Sequence, residues 1–258
     1  MSKTVQAGRK TGAVIQARLN SSRLPGKALA DILGRPLIVR LVEQISFARR
    51  LDEIIVATSI EPSDDPLCET CDRFGIDFMR GDLNNVLERY ICAADSRELD
   101  VVIRITGDNP LTDPLLIDDL VDAYEKEPGI DYINNVHRDG SVHGTGSELV
   151  TSAALKKARD YIREEKDPAA FQEHVTLYIR QNSGLFNTKK CHPPKGLSRP
   201  DVSCSVDHPE DLVLVRNLFS TLYRDGNPIS TKQILEYLDK HPNLLKINSH
   251  LHGGLPAF

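Results

Sequence analysis

The chain has 258 residues, of which 40% are hydrophobic, so it can bury one sizeable core, and a single α/β domain is expected. Its formal net charge of −5 argues against a general nucleic-acid binder, because nucleic acids require a basic surface. No run approaches the ~18 apolar residues of a membrane helix, and the basic residues of 1–10 precede no apolar segment. We therefore expect a cytoplasmic protein with no membrane partner.

The five cysteines are an odd number in a chain without a signal-peptide pattern, which indicates reduced thiols. Cys68 and Cys71 form a C-x-x-C pair, so zinc binding and redox chemistry are alternatives to simple packing. Zinc requires two further ligands, and the sequence contains no second pair. Because the residues 64–67 have the pattern of a helix start, we expect both cysteines to pack as small apolar groups on one helix.

Strand and helix patterns alternate through the first half of the chain. The predicted strands are 13–17, 53–58, 76–79 and 101–106, and the predicted helical stripes are 37–45, 67–74 and 86–94. This alternation predicts an α/β fold with one mostly parallel sheet and helices on both faces. Ligands bind beyond the carboxyl ends of such strands, so the loops after Ala17 and Thr106 should converge. We expect a flexible N-terminus at 1–11, a main domain at 12–227, and a C-terminal helix and tail at 228–258.

The stretch from Val14 to Lys27 has the composition of an anion-binding loop. After its apolar beginning it contains Arg18, Ser21, Ser22, Arg23, a Pro-Gly turn and Lys27. These cations and donors suit the oxygens of a triphosphate. The alternative is an ordinary solvated basic loop. The stretch is not a Walker A loop, which would require Gly at Ser21 and Ser or Thr at Ala28.

Two aspartates follow predicted strands further along the chain. Asp108 comes directly after the strand that ends at Thr106, where a carboxylate can hold Mg²⁺ against phosphate oxygens or bond its own backbone in a turn. Asp207 follows a predicted strand at 202–206 and precedes a predicted helix at 210–223, a position typical of a helix N-cap. A further helix is predicted at 231–239.

Other polar residues are weaker candidates. Asp113, before Pro114, is most simply the N-cap of a helix that ends near Tyr124. Arg80 follows a strand and can reach the site, whereas Arg89 lies within a helix and could pair with an acidic neighbour. Helices are predicted at 152–162 and 169–181. His174 in the second of these is either satisfied by a neighbour such as Glu173 or lines a ligand pocket.

Several short motifs together resemble the sugar-activating cytidylyltransferases, the superfamily of CMP-KDO synthetase and CMP-sialate synthetase. Residues 15–27 match I-Q-A-R-x-x-S-x-R-L-P-G-K, a pattern of the branch that includes the spore-coat polysaccharide biosynthesis protein F. Residues 104–111 match R-I-T-G-D-x-P-L, and 80–90 resemble R-G-x-x-x-D-V-L-x-R-Y. Residues 173–179 are close to E-H-V-T-P-Y-I, and 204–212 resemble L-x-V-D-T-P-E-D-L.

The resemblance implies a Rossmann-like, GT-A-like nucleotidyltransferase fold and an enzyme that joins CMP from CTP to an acidic sugar with release of pyrophosphate, in polysaccharide or glycan biosynthesis. It also implies a Mg²⁺ ion and a homodimer, with 131–151 an insertion near the acceptor site and the dimer contact. The implied catalytic residues are Arg18, Lys27, Asp108 and Asp207, of which the two aspartates bind the metal. The implied nucleotide-binding residues are Ala17, Arg18, Ser22, Arg23, Lys27, Arg80, Thr106 and Asp108. The implied acceptor-binding residues are Glu148, His174 and His143.

Three positions depart from the family pattern. Asn85 stands where Asp is usual, His208 replaces a Thr, and Gly146 replaces the Asp of the motif G-L-D-V-E-V-F-S. The loss of a carboxylate at Gly146 suggests a differently substituted sugar or acid. Two other functions stay open, a metal-dependent glycosyltransferase and a non-catalytic nucleotide or sugar sensor on the same fold. Asp64-Asp65 and Asp118-Asp119 are not the D-x-D motif of the glycosyltransferase.

Overall fold

The computed structural model describes residues 9–136 and 140–252. The strands are β1 (Thr11–Gln16), β2 (Asp31–Ile32), β3 (Arg35–Pro36), β4 (Glu53–Ser59), β5 (Phe78–Gly81), β6 (Val101–Thr106), β7 (Tyr132–Asn134), β8 (Glu148–Thr151) and β9 (Thr188–Lys190). The helices are α1 (Leu37–Ile45), α2 (Asp65–Phe74), α3 (Val86–Ser96), α4 (Pro114–Glu125), α5 (Ser152–Ile162), α6 (Ala169–Glu173), α7 (Leu177–Gln181), α8 (Pro209–Leu222), α9 (Thr231–Lys240) and α10 (Ser249–His252). Short 3₁₀ turns lie at Lys27–Leu29, Pro62–Asp64 and Pro242–Ile247.

Seven strands form one sheet in the order β5-β4-β1-β6-β8-β7-β9, and β2 and β3 form a separate hairpin. The neighbours β5, β4, β1 and β6 pair in parallel, whereas β8 is antiparallel to both β6 and β7. The prediction of a mostly parallel α/β sheet is therefore confirmed. Since four parallel strands end at one edge, the loops that follow them share that edge.

Helices cover both faces of the sheet, as the alternation of strand and helix predicted. Successive residues of a strand point to opposite faces, so Ala13 and Ile15 of β1 pack in one cluster and Val14 packs in the other. The first cluster includes apolar residues of α1, α2 and α4, and the second includes those of α3, α5 and α7. Cys68 and Cys71 are buried on α2 with free thiols, in agreement with the packing prediction.

A third apolar cluster joins the C-terminal helices to the rest of the domain. Leu214, Leu218 and Phe219 of α8 pack with Leu235 and Leu238 of α9, and further members come from β2 and the start of α1. The C-terminal segment predicted as a helix and tail is thus packed against the main domain. In the part of the chain that the structure describes, no helix combines the length and the apolar character needed to span a membrane.

The helix predicted at 169–181 is broken into α6 and α7, which corrects the sequence prediction. His174 leaves the helical conformation with φ −99° and ψ 46°. Val175 and Thr176 are both fully buried, and the hydroxyl of Thr176 donates a hydrogen bond to the buried carboxylate of Glu148 at 2.7 Å. These tertiary contacts override the helical pattern of the segment.

The strand predicted at 202–206 does not join the sheet, which is a second correction. Its pairing among the described residues is an isolated parallel bridge between Ser203 and His143. The alternating residues Val202, Cys204 and Val206 are all buried in the third cluster. The intervening residues Ser203 and Ser205 are buried as well, so the alternation reflects an extended segment with its apolar side chains in the third cluster rather than a strand of the sheet.

The boundaries at two other predicted segments also differ. Residues 131–151, predicted as an insertion, contribute β7 and β8 to the main sheet. The first strand begins at Thr11, whereas the sequence pattern placed its start at residue 13 and a flexible N-terminus at 1–11. Residues 1–8 of that N-terminus lie outside the described residues.

Candidate active site

The basic loop between β1 and the turn at Lys27–Leu29 is closed by backbone hydrogen bonds. The N–H of Gly26 donates to the carbonyl of Leu19 at 2.9 Å, and Gly26 has a φ of 73°, a left-handed conformation that favours glycine. The N–H of Leu19 in turn donates to Oδ1 of the buried Asp64 at 2.7 Å. The Pro-Gly turn therefore directs Lys27 back toward the sheet edge.

Lys27 bridges the two aspartates that the sequence marked as metal ligands. Its Nζ lies 2.8 Å from Oδ2 of Asp108 and 2.8 Å from Oδ1 of Asp207. Arg23 contacts the same oxygen of Asp207 at 2.8 Å. The side chain of Lys27 is 12% exposed, whereas that of Arg23 is 56% exposed. The structure thus brings together two carboxylates and two cations from three separate segments of the chain.

Close backbone contacts explain why these segments converge. A Cβ at Gly107 would lie 2.8 Å from Cβ of Ala17 and 2.9 Å from the carbonyl oxygen of Gln16, so only glycine lets the two loops approach this closely. On the other side, the N–H of Val206 donates to the carbonyl of Asp108 at 2.8 Å. The expected convergence of the loops after Ala17 and Thr106 is therefore present in the structure.

Burial and neighbouring charges act in opposite directions on this cluster. Burial disfavours the ammonium of Lys27, but Asp108 and Asp207 outweigh it and raise the pKa of Lys27. Burial also disfavours the carboxylate of Asp108, but Lys27 and a hydrogen bond from Thr106 lower the pKa of Asp108. Lys27 and Asp108 are therefore both charged at neutral pH.

The two carboxylates suit a Mg²⁺ ion that also binds substrate phosphates. Mg²⁺ prefers oxygen ligands and is usually held by one or two carboxylates plus phosphates rather than by a complete protein cage. Asp108 and Asp207 each direct an oxygen at the same ammonium nitrogen, so both are already oriented toward one cation. Within 9–136 and 140–252, no group of three or more His, Cys, Asp or Glu side chains could hold a metal. Substrate oxygens would have to complete the coordination.

The remaining cation of the basic loop, Arg18, is exposed. Arg18 and Ser22 lie at the surface, and Nη2 of Arg18 is 3.4 Å from Oε1 of Glu173 at the end of α6. Ala17 is buried at the base of the loop. Thr106 accepts a hydrogen bond from Nδ2 of Asn109 at 2.8 Å, which helps to shape the turn that carries Asp108. The predicted nucleotide-binding residues of β1 and β6 thus share one edge of the sheet.

Glu148, predicted to bind the acceptor, lies in a buried polar network. Its Oε2 accepts hydrogen bonds from Nη1 of Arg104 at 2.9 Å and from Oγ1 of Thr176 at 2.7 Å. Burial opposes its charge, but Arg104 outweighs this and lowers the pKa of Glu148. Arg104 also donates to Oε1 of Gln16 at 3.1 Å, so the network ties β1, β6 and β8 together. Sequence reasoning did not find Gln16 or Thr176 as members of this network.

The two histidines predicted to bind the acceptor lie in different environments. His143 is partly buried, its Nδ1 is 3.0 Å from Oγ of Ser203, and its ring is close enough to Asp108 and Asp207 to interact with their charges. Burial lowers the pKa of His143, although those carboxylates oppose the effect. His174 is exposed beside Glu173. Their acceptor-binding roles stay predictions.

Arg80 is bonded to the segment that follows β4. Its Nε donates to the carbonyl of Ser59 at 2.8 Å, its Nη2 donates to the carbonyl of Glu61 at 2.9 Å, and its Nη1 is 2.7 Å from Oδ1 of Asp65. Arg80 therefore braces the turn between β4 and α2. Its predicted contact with a nucleotide stays a prediction.

Comparison with known proteins identifies the family. The family model described as cytidylyltransferase matches residues 13–223, which is most of the chain and includes both carboxylates and the basic loop. The chain belongs to the cytidylyltransferase family. The resemblance inferred from the short motifs is thereby confirmed.

Individual relatives of this cytidylyltransferase match along nearly its whole length. An uncharacterized protein of Methanocaldococcus jannaschii is 35% identical over 92% of the chain and 94% of that protein. The spore coat polysaccharide biosynthesis protein SpsF of Bacillus subtilis is 30% identical over 89% of the chain and 94% of that protein. A solved cytidylyltransferase structure from Leptospira borgpetersenii has 26% identity and a TM-score of 0.84, and the match covers 92% of this chain and 97% of that one.

At Gly146, a departure from the family pattern, this cytidylyltransferase has no room for a side chain. A Cβ at Gly146 would lie 2.7 Å from Oδ1 of Asn135, closer than real Cβ contacts allow. Asn135 cannot easily move, because its Oδ1 accepts from the N–H of Ser147 at 2.8 Å and its Nδ2 donates to the carbonyl of Leu116 at 2.9 Å. A buried asparagine amide therefore occupies the space beside the position where the family pattern has an aspartate.

The segment 80–90 of the cytidylyltransferase combines a helix cap with a buried arginine. Asn85 is the N-cap of α3 and accepts a hydrogen bond from the N–H of Glu88 at 3.0 Å, a role that Asn fills as well as Asp. Arg89 is 3% exposed, and its Nε and Nη1 have no hydrogen-bond partner within the described part of the chain. Burial and the nearby Arg18 lower the pKa of Arg89. The ion pair that the sequence suggested for Arg89 is thus not made among the described residues.

Proposed function

We propose that this cytidylyltransferase transfers CMP from CTP to an acidic sugar with Mg²⁺ as its metal and pyrophosphate as the leaving group. The observation that carries the proposal is the convergence of Lys27, Asp108 and Asp207 at the carboxyl ends of β1 and β6, with Arg23 on the same carboxylate. Paired carboxylates beside paired cations match the two needs of the reaction. The carboxylates can hold a metal cation near the α-phosphate, and the cations place positive charge near the leaving group.

In the proposed reaction, an oxygen of the acceptor forms a bond to the α-phosphorus of CTP, and the bond from that phosphorus to the pyrophosphate oxygen breaks. The acceptor hydroxyl gives its proton to solvent water, and the pyrophosphate leaves with the electron pair of the broken bond. Such transfers depend mainly on positioning and charge neutralisation. Arg18, Arg23 and Lys27 hold the triphosphate, and Asp108 and Asp207 hold the metal. When bound, Mg²⁺ supplies Lewis-acid polarisation of the oxygens on the reacting phosphate.

The acceptor site is proposed to lie next to the carboxylates, on the side of β8 and α6. His143 is the acceptor-binding candidate with the most support, because its partly buried ring is held at Oγ of Ser203, in the segment that leads to Asp207. His174 lies beside Glu173, whose carboxylate reaches Arg18 across the mouth of the basic loop. Glu148 is only 7% exposed. Its proposed role is therefore to hold Arg104 and Thr176 in place and to form part of the wall of the acceptor pocket.

The assembly and location are proposals as well. We propose a homodimer with its contact in the segment 131–151. Most of the described residues of that segment are buried, and Val136, which is 40% exposed, is an accessible position in it. A cytoplasmic location is proposed because all five cysteines are free thiols.

The experiment that tests the function is a pyrophosphate-release assay with CTP, UTP, ATP and GTP against a panel of sugar acids, with Mg²⁺ and with EDTA. The proposal expects release with CTP and at least one sugar acid, and none with EDTA. Transfer from a nucleotide sugar without pyrophosphate release would instead indicate a glycosyltransferase. Nucleotide binding without turnover against any acceptor would indicate a sensor. The variants Asp108→Asn and Asp207→Asn control for contaminating activity.

A further inference from the structure

The carboxylate of Asp211 lies behind the active site and is completely buried. Asp211 is the third residue of α8, and its Oδ2 accepts hydrogen bonds from the backbone N–H of Asp207 at 3.0 Å and of His208 at 2.8 Å. The same backbone carries the carboxylate that reaches Lys27. Asp211 therefore fixes the peptide that positions one of the two proposed metal ligands.

The second oxygen of Asp211 is held by the C-terminal segment. Its Oδ1 accepts from Nδ2 of Asn248 at 2.8 Å and lies 2.6 Å from Nε2 of His252 on α10. Asn248 also donates to the carbonyl of Ser203 at 3.0 Å, and it is 2% exposed. Four donors thus surround a single buried carboxylate, and two of them come from residues beyond the end of the family match at 223.

We infer that Asp211 is a positioning residue for Asp207, and that Asn248 and His252 complete the active site from the C-terminal segment. The inference rests on the proposed function of Asp207 as a metal ligand. It adds to that function a requirement for 248–252, a region whose sequence pattern carried no sign of a role in the chemistry.

A helix-capping role alone does not explain this arrangement. Capping of α8 requires only Oδ2, and capping carboxylates are ordinarily at the surface, where water satisfies the other oxygen. Here the whole carboxylate is removed from water, a costly step unless each oxygen finds donors. Asn248 and His252 supply those donors from 37 and 41 residues away along the chain. A role in fixing the orientation of the Asp207 peptide explains the burial, because the residues that hydrogen-bond metal ligands from behind hold those ligands in position.

The neighbouring histidine strengthens the connection to the active site. The rings of His143 and His252 have centroids 6.2 Å apart, and His143 bonds Ser203 through its Nδ1. Ser203 is also the residue whose carbonyl Asn248 binds. The C-terminal segment thus contacts the layer of side chains directly behind the two carboxylates.

The test compares the affinity for CTP with Mn²⁺ and with EDTA by isothermal titration calorimetry, in the full chain. Mn²⁺ serves as the probe because it accepts the same oxygen ligands as Mg²⁺. The ratio of the affinity with Mn²⁺ to the affinity with EDTA measures the contribution of the bound metal to CTP binding. We expect His252→Ala and Asn248→Ala to reduce this ratio about 10-fold, the scale on which loss of a partner behind a metal ligand acts. The affinity in EDTA should stay within a factor of about two, because the basic loop is untouched.

Two further variants separate positioning from folding. His252→Gln keeps an N–H donor at this position and should recover most of the ratio, whereas His250→Ala, at an exposed site on the same helix, should leave it unchanged. Urea unfolding of each variant shows whether the fold persists. Equal loss of CTP affinity with Mn²⁺ and with EDTA would overturn the inference in favour of a merely structural role.

The outcomes also separate this inference from the proposed function. If the wild-type chain binds CTP no better with Mn²⁺ than with EDTA, the proposed metal site itself is wrong. If the wild type shows the metal-dependent gain and both His252→Ala and Asn248→Ala retain it within about twofold, only the positioning role is overturned.

Discussion

The position of Lys27 between two carboxylates leads to a prediction about stability as well as catalysis. The substitution Lys27→Met removes the charge and keeps a similar side-chain length. Asp108 then loses its ion pair with Lys27, while Asp207 keeps only the contact with the largely exposed Arg23. Two negative charges face each other without the ammonium between them. The variant should therefore be less stable than the wild type in the absence of a divalent cation.

The magnitude follows from the burial of the group. Removing one partner of a fully buried ion pair costs about 3–5 kcal/mol, and exposed pairs contribute about 0–1 kcal/mol. The side chains of Lys27, Asp108 and Asp207 are 12%, 23% and 14% exposed, which places them between these limits. We expect the unfolding free energy of Lys27→Met in EDTA to fall by about 2 kcal/mol. Mg²⁺ should restore part of the loss, because a ligand that binds only the folded state stabilises it.

The pH dependence of this loss has a definite sign. Lys27 lowers the pKa of Asp108, so the stability from this pair is present above the ordinary pKa of an aspartate and disappears as the pH falls through the lowered folded-state value. The raised pKa of Lys27 means that its contribution is complete below its ordinary value of 10.5 and is lost only as the pH rises through the higher folded-state value. The difference between wild type and variant should thus be constant near neutral pH and shrink in acid.

The assay is urea unfolding followed by circular dichroism, in EDTA and in excess Mg²⁺. Lys10→Met is the matched control, because Lys10 forms a surface ion pair with Glu53 at 3.0 Å and is 39% exposed. This control should lose no more than about 1 kcal/mol and should respond to Mg²⁺ as the wild type does, because its carboxylate pair is unchanged. If Lys27→Met is as stable as the wild type in EDTA, or if Mg²⁺ stabilises both proteins equally, the assignment of the carboxylate pair as a cation site fails.

Three further predictions follow from the same contacts. Lys27→Ala should lower turnover by about 100-fold or more and raise the KM for CTP with little change for the acceptor, and steady-state kinetics showing the reverse pattern would assign the loop to the other substrate. The pKa of Asp211 is lowered to about 2, because hydrogen bonds to its carboxylate outweigh its burial. Asp211→Asn should lower the unfolding free energy by about 1–2 kcal/mol above about pH 4, and the difference from the wild type should disappear toward about pH 2. A pH-independent difference in urea titrations would refute this. Multi-angle light scattering should give twice the chain mass of 28.7 kDa, and a monomer at micromolar concentration would exclude the proposed dimer.

Local sequence patterns were sufficient for the elements that depend on local periodicity. The predicted strand at 101–106 and the helices at 37–45 and 152–162 have the observed bounds, because each pairs a clear apolar pattern with clear ends. Asp108 and Asp207 were identified because they follow extended apolar runs. The loops after Ala17 and Thr106 were expected to meet, since the loops at one edge of a parallel sheet converge, whereas the place of Asp207 beside them was implied by the family resemblance.

The features that the sequence did not reveal depend on contacts between distant residues. Lys27 lies 81 residues from Asp108 and 180 residues from Asp207, so the bridge between them has no local signal. The break at His174 likewise results from the burial of Thr176 against Glu148. Residues 202–206 showed the alternation of a strand, but their apolar side chains pack in the third cluster without sheet pairing.

The contribution of the C-terminal segment was missed for a different reason. Asn248 and His252 lie in a short polar stretch without periodicity, and their function depends on a buried carboxylate in α8. A capping pattern at 207–211 was visible in the sequence, but it did not show that the second oxygen of Asp211 lacks access to water. Only the packed arrangement reveals that this oxygen needs protein donors.

The most direct test of the central claim is pyrophosphate release by the wild-type chain and by Asp108→Asn and Asp207→Asn, with CTP, Mg²⁺ and a panel of sugar acids. The claim predicts release by the wild type with at least one sugar acid. Each variant should lose turnover but keep the wild-type circular dichroism spectrum, because both carboxylates lie at the sheet edge and leave no core cavity when replaced. Near-normal release by either variant would contradict the claim that these two carboxylates hold the metal.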